Sequence, residues 1–483
     1  MDIKSTNQVN KAGILSRMGG FFNALALKFK SKLMNATKSV KKIGKDDPRR
    51  VIHSLKVGVA LTVVSLFYYS RPLYNGFGVA GMWAVLTVVV VFEFTVGATL
   101  SKSLNRGCAT LVAGALGVGG HHLATAVGEK GEAIVLGALV FILAAIATFL
   151  RFVPKIKARY DYGMVIFILT FCLVSVSGYR VEELVELAHQ RLSTIIIGAA
   201  ACMLISIFVC PVWAGLDLHN LVASNIEKLA NYLEGFEGEY FHSSEDKEKS
   251  KSLLQGYKSV LNSKAIEESL ANFARWEPGH GGFSLRHPWM QYLKIGVLAR
   301  ECAYKIETLN TYLNPEIQTC LEFKCKIQEE CTKMSSESNK ALKAISSSMK
   351  TMTHPSSAKS HIENSKIAIE ELKVVLEDIS LEDVELLAII PVATVAAILE
   401  EITISVEKIY DSVSELSHLA HFKNVESNVS PEKPPLLHRG IIKPVEDIDN
   451  APHVAIVIQD LCTDSPKKAR KETTEILQTI TIN

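Results

Sequence analysis

Several kinds of sequence motif are missing from this chain of 483 residues. The nine cysteines include no CxxC pair, so neither a disulfide framework nor a zinc site is expected. The chain has no P-loop, no Rossmann glycine pattern, no GxSxG and no HExxH. No segment alternates apolar and polar residues as a half-buried strand does. We therefore expect an all-α protein that is not an enzyme and that uses no metal and no cofactor.

Acidic residues are absent from the middle of each long apolar run in the chain. The mean hydropathy is +0.20, and the apolar residues crowd into six runs, at residues 51–69, 76–92, 107–123, 132–150, 162–178 and 192–213. Each run has about 17–22 residues, close to the length that crosses a bilayer. A polytopic domain of six transmembrane helices is therefore predicted over residues 51–213. A proton-coupled or cation transporter commonly places Asp or Glu at the midplane, which disfavours both classes here.

Charge is unevenly distributed along the chain. Residues 1–50 hold 12 Lys and Arg against 3 acids, whereas residues 214–483 hold 29 against 40. A nucleic-acid binder concentrates basic charge on its folded domain, so this class is excluded. With the N-terminus inside, the inner segments carry 18 Lys and Arg and the outer segments carry 4. The positive-inside rule therefore predicts that both termini are cytosolic.

The remainder divides into a helical domain and a tail. Residues 214–422 show helical periodicity and are predicted to form a cytosolic helical bundle. Their most apolar stretch, LLAIIPVATVAAIL at residues 386–399, is short for a span, contains Pro391 and is flanked by acids, so we interpret it as a core helix of the bundle. Residues 423–483 are polar and proline-rich, and are predicted to be disordered.

The basic N-terminal segment, residues 1–50, allows two interpretations. Its lysines alternate with apolar residues, as in the stretch FFNALALKFKSKL at residues 21–33. Such a segment can lie on an anionic inner leaflet as an amphipathic helix. It can equally be a solvated cytosolic tail.

Cationic side chains within the apolar runs are the most informative feature of the sequence. A buried Arg or Lys is costly in lipid and usually faces a partner or a water-filled path. Lys56 either snorkels to the inner surface or lines a pore. Arg106 is predicted to share a helical stripe with Lys102 and three hydroxyl residues, Thr99, Ser103 and Thr110.

Arg191 lies in VEELVELAHQRLSTIIIGAA, which is predicted to be helical from residue 181, with Thr194 and Gly198 on the arginine's face. Arginine does not deprotonate in proteins, so a path lined by Arg106 and Arg191 would favour anions. Pairing of these arginines with helix-terminal carbonyl groups is the alternative.

One turn motif stands out in the soluble part. The stretch ARWEPGHGGF at residues 274–283 combines Trp276, Pro278 and His280 with three glycines, including Gly281. This composition is typical of a rigid turn between helices. Catalysis by Glu277 with His280 is the competing interpretation, but no nucleophile or set of metal ligands accompanies the pair. We therefore predict a structural motif and no catalytic residue.

Five stretches carry a resemblance to a known family. They are DPRRVIHSLKVG (residues 47–58), MWAVLTVVVVFEFTVGATLSKSLNRG (82–107), DYGMVIFILTF (161–171), CPVWAGLDLHNL (210–221) and WEPGHG (276–281). Together they resemble the aluminium-activated malate transporters of plants, over about residues 45–310.

The resemblance implies an anion channel for malate and other organic and inorganic anions. It implies a homodimer in a plant membrane, with one pore on the two-fold axis, and Arg106 and Arg191 match the family's pore arginines. Lys102 and Lys56 are further candidates for the anion pore, and the plasma membrane is favoured over the vacuolar membrane. The alternatives are a non-transporting scaffold that recruits cytosolic partners and a coupled dicarboxylate transporter.

The resemblance also bears on aluminium. Glu182, Glu183 and Glu186 are candidates for extracellular cation-sensing acids. In family members that respond to aluminium, the first external loop can contribute an Asp. Here that loop, SRPLYNGFG at residues 70–78, has no acid and carries Arg71. We therefore expect weak or no activation by external aluminium.

Overall fold

A computed structural model of the chain describes residues 28–69, 81–177, 181–240, 253–313, 321–377 and 386–423. Within these ranges most of the chain is helical and no strand forms, as predicted; an isolated β-bridge joins His280 and Phe283. The first compact unit ends at Phe422. The tail that was predicted to be disordered lies outside the described residues except for Lys423, so that prediction stays untested.

The part of the chain predicted to span the membrane, here called the membrane part, has six described helices, and each overlaps one of the six apolar runs. They are α1 (Pro48–Tyr69), α2 (Met82–Val91), α3 (Val96–Thr125), α4 (Glu129–Leu150), α5 (Pro154–Ser177) and α6 (Val181–Phe208). Residues 28–46 form a further helix that precedes α1. α3 has 30 residues and starts well before its apolar run, because its first third is polar. α6 has 28 residues and begins at the predicted residue, Val181.

Length and composition single out four of the described helices as able to cross a membrane. Their apolar windows are Gly131–Leu150, Pro154–Ser175, His189–Phe208 and Ile389–Leu419. α2 is apolar but has only 10 residues, and polar side chains lower the hydropathy of α1 and α3. The chain is thus a membrane protein by these helices, whereas the count of six crossings stays a prediction.

Seven helices follow in the bundle. They are α7 (Ala214–Tyr240), α8 (Tyr257–Leu261), α9 (Lys264–Ala274), α10 (Trp289–Thr311), α11 (Leu321–Thr351), α12 (Ser356–Glu377) and α13 (Leu386–Leu419). They share one hydrophobic core. α13 contains the fourth apolar window, but its Val395, Leu399 and Ile409 are buried in this core. The apolar face of α13 is therefore covered by protein.

α11 has 31 residues and continues well beyond Met334. The continuation is rich in serine, which favours caps and turns over helix interiors. In the bundle these hydroxyls have partners: Ser338 Oγ lies 3.0 Å from Ser365 Oγ and 3.1 Å from Thr403 Oγ1. The buried serines are therefore hydrogen-bonded between helices, and the tertiary contacts sustain a helix that local propensity does not indicate.

Candidate functional site

Arg106 is buried near the middle of the polar face of α3. Its Nη1 donates a hydrogen bond to the hydroxyl of Tyr162 on α5, at 3.1 Å. Its Nε is buried without a hydrogen-bond partner in the described part of the chain. α3 packs along α5, and this contact brings the tyrosine to the arginine. The guanidinium therefore keeps donors available while one is used to hold its position.

Arg191 is buried on α6 and stacks over an aromatic ring. Its guanidinium carbon lies 3.9 Å from the centroid of the Trp83 ring on α2, a cation–π contact. Gly198 allows this approach, because a Cβ there would lie 2.7 Å from the carbonyl oxygen of Ala84. The Nε and Nη1 of Arg191 are buried without hydrogen-bond partners among the described residues.

The two arginines lie on neighbouring helices, because α3 packs against α6. Neither of them forms an ion pair within the described ranges. Ser103 and Thr110, one turn before and after Arg106, also have buried hydroxyls that lack a partner there. Buried polar groups are normally satisfied by protein or water. Unsatisfied N–H and O–H groups beside two fixed positive charges form an environment suited to an anion and its water.

Lys102 is placed differently from the rest of the predicted stripe. It forms an ion pair with Glu93, in the turn before α3, and its ammonium lies 5.6 Å from the centroid of the Tyr162 ring. Thr99 holds the same turn: its hydroxyl donates to the carbonyl of Glu93 at 3.1 Å. The polar stripe therefore has two parts. Its first residues, Thr99 and Lys102, bind Glu93, whereas the later residues carry the polar groups that lack a hydrogen-bond partner among the described residues.

Lys56 is hydrogen-bonded to a backbone carbonyl group. It is 3% exposed, and its Nζ donates to the carbonyl of Cys210 at 2.9 Å. Cys210 follows the end of α6 and has a φ of 43°. The lysine therefore joins α1 to the end of α6. The place of Lys56 in the anion pore stays a prediction.

The carboxylate of Glu277 joins the membrane part to the bundle. Its Oε1 accepts hydrogen bonds from the amides of Gly97 at 3.2 Å and Ala214 at 2.6 Å, and its Oε2 accepts one from Gly215 at 3.0 Å. Gly97 lies in the first turn of α3, and Ala214 and Gly215 begin α7. A single carboxylate therefore satisfies orphan amides at two helix N-termini, where negative charge is favoured.

Close packing holds Glu277 in this position. A Cβ at Gly97 would lie 2.3 Å from the carbonyl oxygen of Phe273, so only glycine lets α3 approach this closely. The amide of Val96 donates to the carbonyl of Val212 at 2.9 Å, beside the carboxylate. Burial raises the pKa of the Glu277 carboxyl, and the three amide hydrogen bonds and His280 act in the opposite direction.

The rest of the WEPGHG motif frames this junction. The ring of His280 stacks on Trp213, with centroids 3.8 Å apart. The guanidinium carbon of Arg159, near the start of α5, lies 5.1 Å from the centroid of the Trp276 ring. Gly281 has a φ of 54° and forms the turn between His280 and Phe283. The motif thus makes contacts with both parts of the chain.

Three predicted site residues have side chains that the structure does not describe, and two residues that contact the arginines were not predicted. Glu182, Glu183 and Glu186 fall within α6, but their side chains lie outside the described residues. Trp83 and Tyr162, the partners of the two arginines, were not predicted as site residues. The available signal was weak: Tyr162 begins an apolar run beside Asp161, and Trp83 lies in the middle of another.

Comparisons with known proteins agree with the motifs. The family model of the aluminium activated malate transporters matches residues 41–382. Aluminum-activated malate transporter 2 of Arabidopsis thaliana is 51% identical over 439 residues, which cover 90% of this chain and 87% of the relative. Aluminum-activated malate transporter 1 of Arabidopsis thaliana is 49% identical over 432 residues, covering 88% and 87%.

A relative from wheat gives the same result. Aluminum-activated malate transporter 1 of Triticum aestivum is 46% identical over 417 residues, covering 84% of this chain and 89% of the relative. The family match extends from the helix before α1 to a point beyond the end of α12, so it includes Arg106, Arg191 and the Glu277 junction. These matches confirm the resemblance found in the sequence motifs: the chain belongs to the aluminium-activated malate transporter family and is a membrane transport protein, not an enzyme.

Proposed function

We propose that this chain forms an anion channel that passes malate and other small organic and inorganic anions. The observation that carries the proposal is the pair of buried arginines, Arg106 and Arg191, which have no acidic partner among the described residues. The names of the relatives support malate as a permeant anion.

The physical argument concerns dehydration. A dicarboxylate that enters a narrow path loses water, and fixed positive charge offsets this loss. One contact between unit charges at 4 Å contributes about 4 kcal/mol at an effective dielectric constant of 20, before desolvation. The Tyr162 hydroxyl and the Trp83 ring hold the two guanidiniums without neutralising them. Their charge therefore remains available to a passing anion.

We propose that two copies of the chain enclose one pore on a two-fold axis. Each arginine would then occur twice around the path, giving two pairs of fixed positive charges. Six crossings per chain would place both termini and the bundle in the cytosol, in keeping with the 18 Lys and Arg of the inner segments against 4 outside. The plasma membrane is the proposed location.

The test is patch-clamp recording with malate as the only permeant anion. Arg106→Ala and Arg191→Ala should each lower the malate current about tenfold or more, since hydrogen bonds to charged groups contribute about 1.5–3 kcal/mol. Arg→Lys variants should restore the current only partly, because the planar fork is lost. Lys155→Ala is the matched control: it removes an exposed positive charge and should conduct normally.

Each outcome separates the candidate functions. Unchanged malate currents in both alanine variants, at equal surface amounts, would refute the arginine path. A purified wild-type protein that carries no anion current in a bilayer would indicate the scaffold function. A malate flux that requires a second ion would indicate a coupled transporter, whereas currents that reverse at the malate equilibrium potential support the channel.

A further inference from the structure

The helix over residues 28–46 has one narrow apolar face. Phe29, Leu33, Ala36, Val40 and Ile43 follow one another at steps of four, three, four and three residues. At 100° per residue these five positions fall within about 80° of the helix circumference. All five are exposed in the described chain except for part of the surface of Ile43, and Phe29 and Val40 are 70% and 68% exposed. Nothing in the described residues covers this face.

The remaining faces of the same helix are strongly basic. Residues 28–45 contain seven lysines and no acid. Two helices of this kind would repel each other, and two heptads are fewer than the three or four that a coiled coil usually needs. An apolar stripe flanked by lysines matches a bilayer surface that offers both acyl chains and negative headgroups.

The helix over residues 28–46 ends directly before α1. Asp47 is the single non-helical residue between the two helices. Its amide donates to the carbonyl of Ile43 at 3.2 Å, which closes the first helix, and its carboxylate accepts from the amide of Arg49 at 3.1 Å, which caps α1. The apolar face thus ends within one turn of the start of a membrane helix.

We propose that the helix over residues 28–46 lies on the cytosolic leaflet and binds anionic lipid, with the stripe from Phe29 to Ile43 inserted among the acyl chains. The lysines on its flanks contact the headgroups. The binding surface does not depend on which anion the channel passes. It distinguishes between the two interpretations that the sequence left open, the surface-bound helix and the solvated tail.

The test uses the full-length protein reconstituted in vesicles, with a dansyl-bearing amino acid incorporated at Val40 or, as the opposite-face control, at Lys38. The vesicles contain phosphatidylcholine alone or with phosphatidylserine, plus a doxyl-labelled phosphatidylcholine as a shallow quencher. We expect emission from position 40 at shorter wavelength and with quenching in the anionic vesicles, and a water-like emission from position 38. Equal, unquenched emission from both positions would establish the solvated tail and overturn the proposal.

Matched variants isolate the apolar face from charge. Leu33→Glu with Ile43→Glu and Asn35→Glu with Ser39→Glu add the same two negative charges, but only the first pair interrupts the stripe. The first pair should abolish the quenching at position 40, and the second should preserve most of it. A short-wavelength emission that lipid quenchers leave unchanged and that rises with protein density would instead assign the face to a second copy of the chain.

Discussion

Buried charge is handled differently in the two parts of the molecule. In the bundle, Glu267 accepts from Ser263 Oγ at 2.7 Å and from the guanidinium of Arg300, so charge meets charge. In the membrane part, Arg106 has one hydroxyl partner and Arg191 has an aromatic ring. Removing one member of a buried ion pair leaves the other uncompensated. Removing a charge that has no counter-charge leaves no uncompensated charge behind. Buried charge in the bundle is therefore explained by structure, whereas the buried arginines of the membrane part fit the proposed anion path.

The two parts also differ in how they cover their apolar surface. The bundle encloses a continuous core that includes Leu218, Tyr292 and Val406. The membrane helices share only a small cluster around Val64 and Val88, and 6% of the apolar window of α4 is buried. The hydrophobic effect therefore stabilises the bundle internally, whereas the membrane helices leave their apolar faces to lipid.

The largest expected effect tests the bundle. Glu267→Ala should lower the free energy of unfolding by about 3–5 kcal/mol, because it leaves the buried Arg300 without its carboxylate. Thermal unfolding in detergent measures the change. Glu268→Ala removes an exposed acid one residue away and is the control, with an expected change near zero. Equal unfolding temperatures for the two variants would contradict the assignment of Glu267 as a structural charge.

The junction between the two parts comes next. Glu277→Ala should cost about 3 kcal/mol, since three amides at two helix N-termini lose a charged acceptor. It should also lower the malate current, because α3 carries Arg106. Glu301→Ala, at an exposed position of α10, should alter neither the unfolding temperature nor the current. A Glu277→Ala channel with normal stability and normal current would show that the junction is dispensable.

The third prediction concerns pH. Burial, with smaller contributions from His219 and His280, lowers the pKa of His287 to about 4. The folded bundle therefore favours the neutral imidazole. The resulting stability is complete above the ordinary value of about 6.5 and is lost as the pH falls toward 4, by a total of about 3 kcal/mol.

His287→Gln should flatten this dependence while keeping a hydrogen-bonding group near the Tyr292 hydroxyl, which lies 3.1 Å from His287 Nε2. His418→Gln, at an exposed position, should retain the wild-type slope. Unfolding temperatures between pH 8 and pH 4.5 provide the comparison. Identical slopes in the wild type and His287→Gln would exclude this histidine as the source.

A smaller effect sharpens the contrast with Glu267. Arg106→Ala and Arg191→Ala should each change the free energy of unfolding by less than about 1 kcal/mol, because the loss of packing is offset by the removal of a buried charge without a counter-charge. The same thermal assay applies. A loss similar to that of Glu267→Ala would mean that the arginines are structural, whatever happens to the current.

The smallest expected effect is the response to aluminium. Hard cations are held by several oxygen ligands, and the first external loop at residues 70–78 offers no carboxylate. Micromolar external Al³⁺ at acidic pH should therefore leave the malate current close to its starting value. A several-fold increase would refute this prediction, and loss of that increase in Glu182→Gln would assign one ligand.

Sequence patterns identified the buried charged residues better than they identified the residues that contact them. The start of α6 and the two arginines followed from hydropathy and the cost of buried charge, which are local properties. The contacts of Arg106 with Tyr162 and of Glu277 with Gly97 join residues 56 and 180 positions apart, and no local pattern encodes them. The length of α11 is not encoded locally either, because the partners of Ser338 lie on two other helices.

The hydrogen bond between Glu277 and Gly97 attaches the first turn of α3 to the bundle, so a tilt at this point moves the residues further along the helix. Arg106 lies nine residues further along the same helix, about 14 Å from the attachment at 1.5 Å per residue. A tilt of about 5° around the attached end would displace the guanidinium by roughly 1 Å, which exceeds the tolerance of a charged hydrogen bond. A rotation of the bundle that acted through this attachment would therefore move the positive charge of Arg106 along the proposed path.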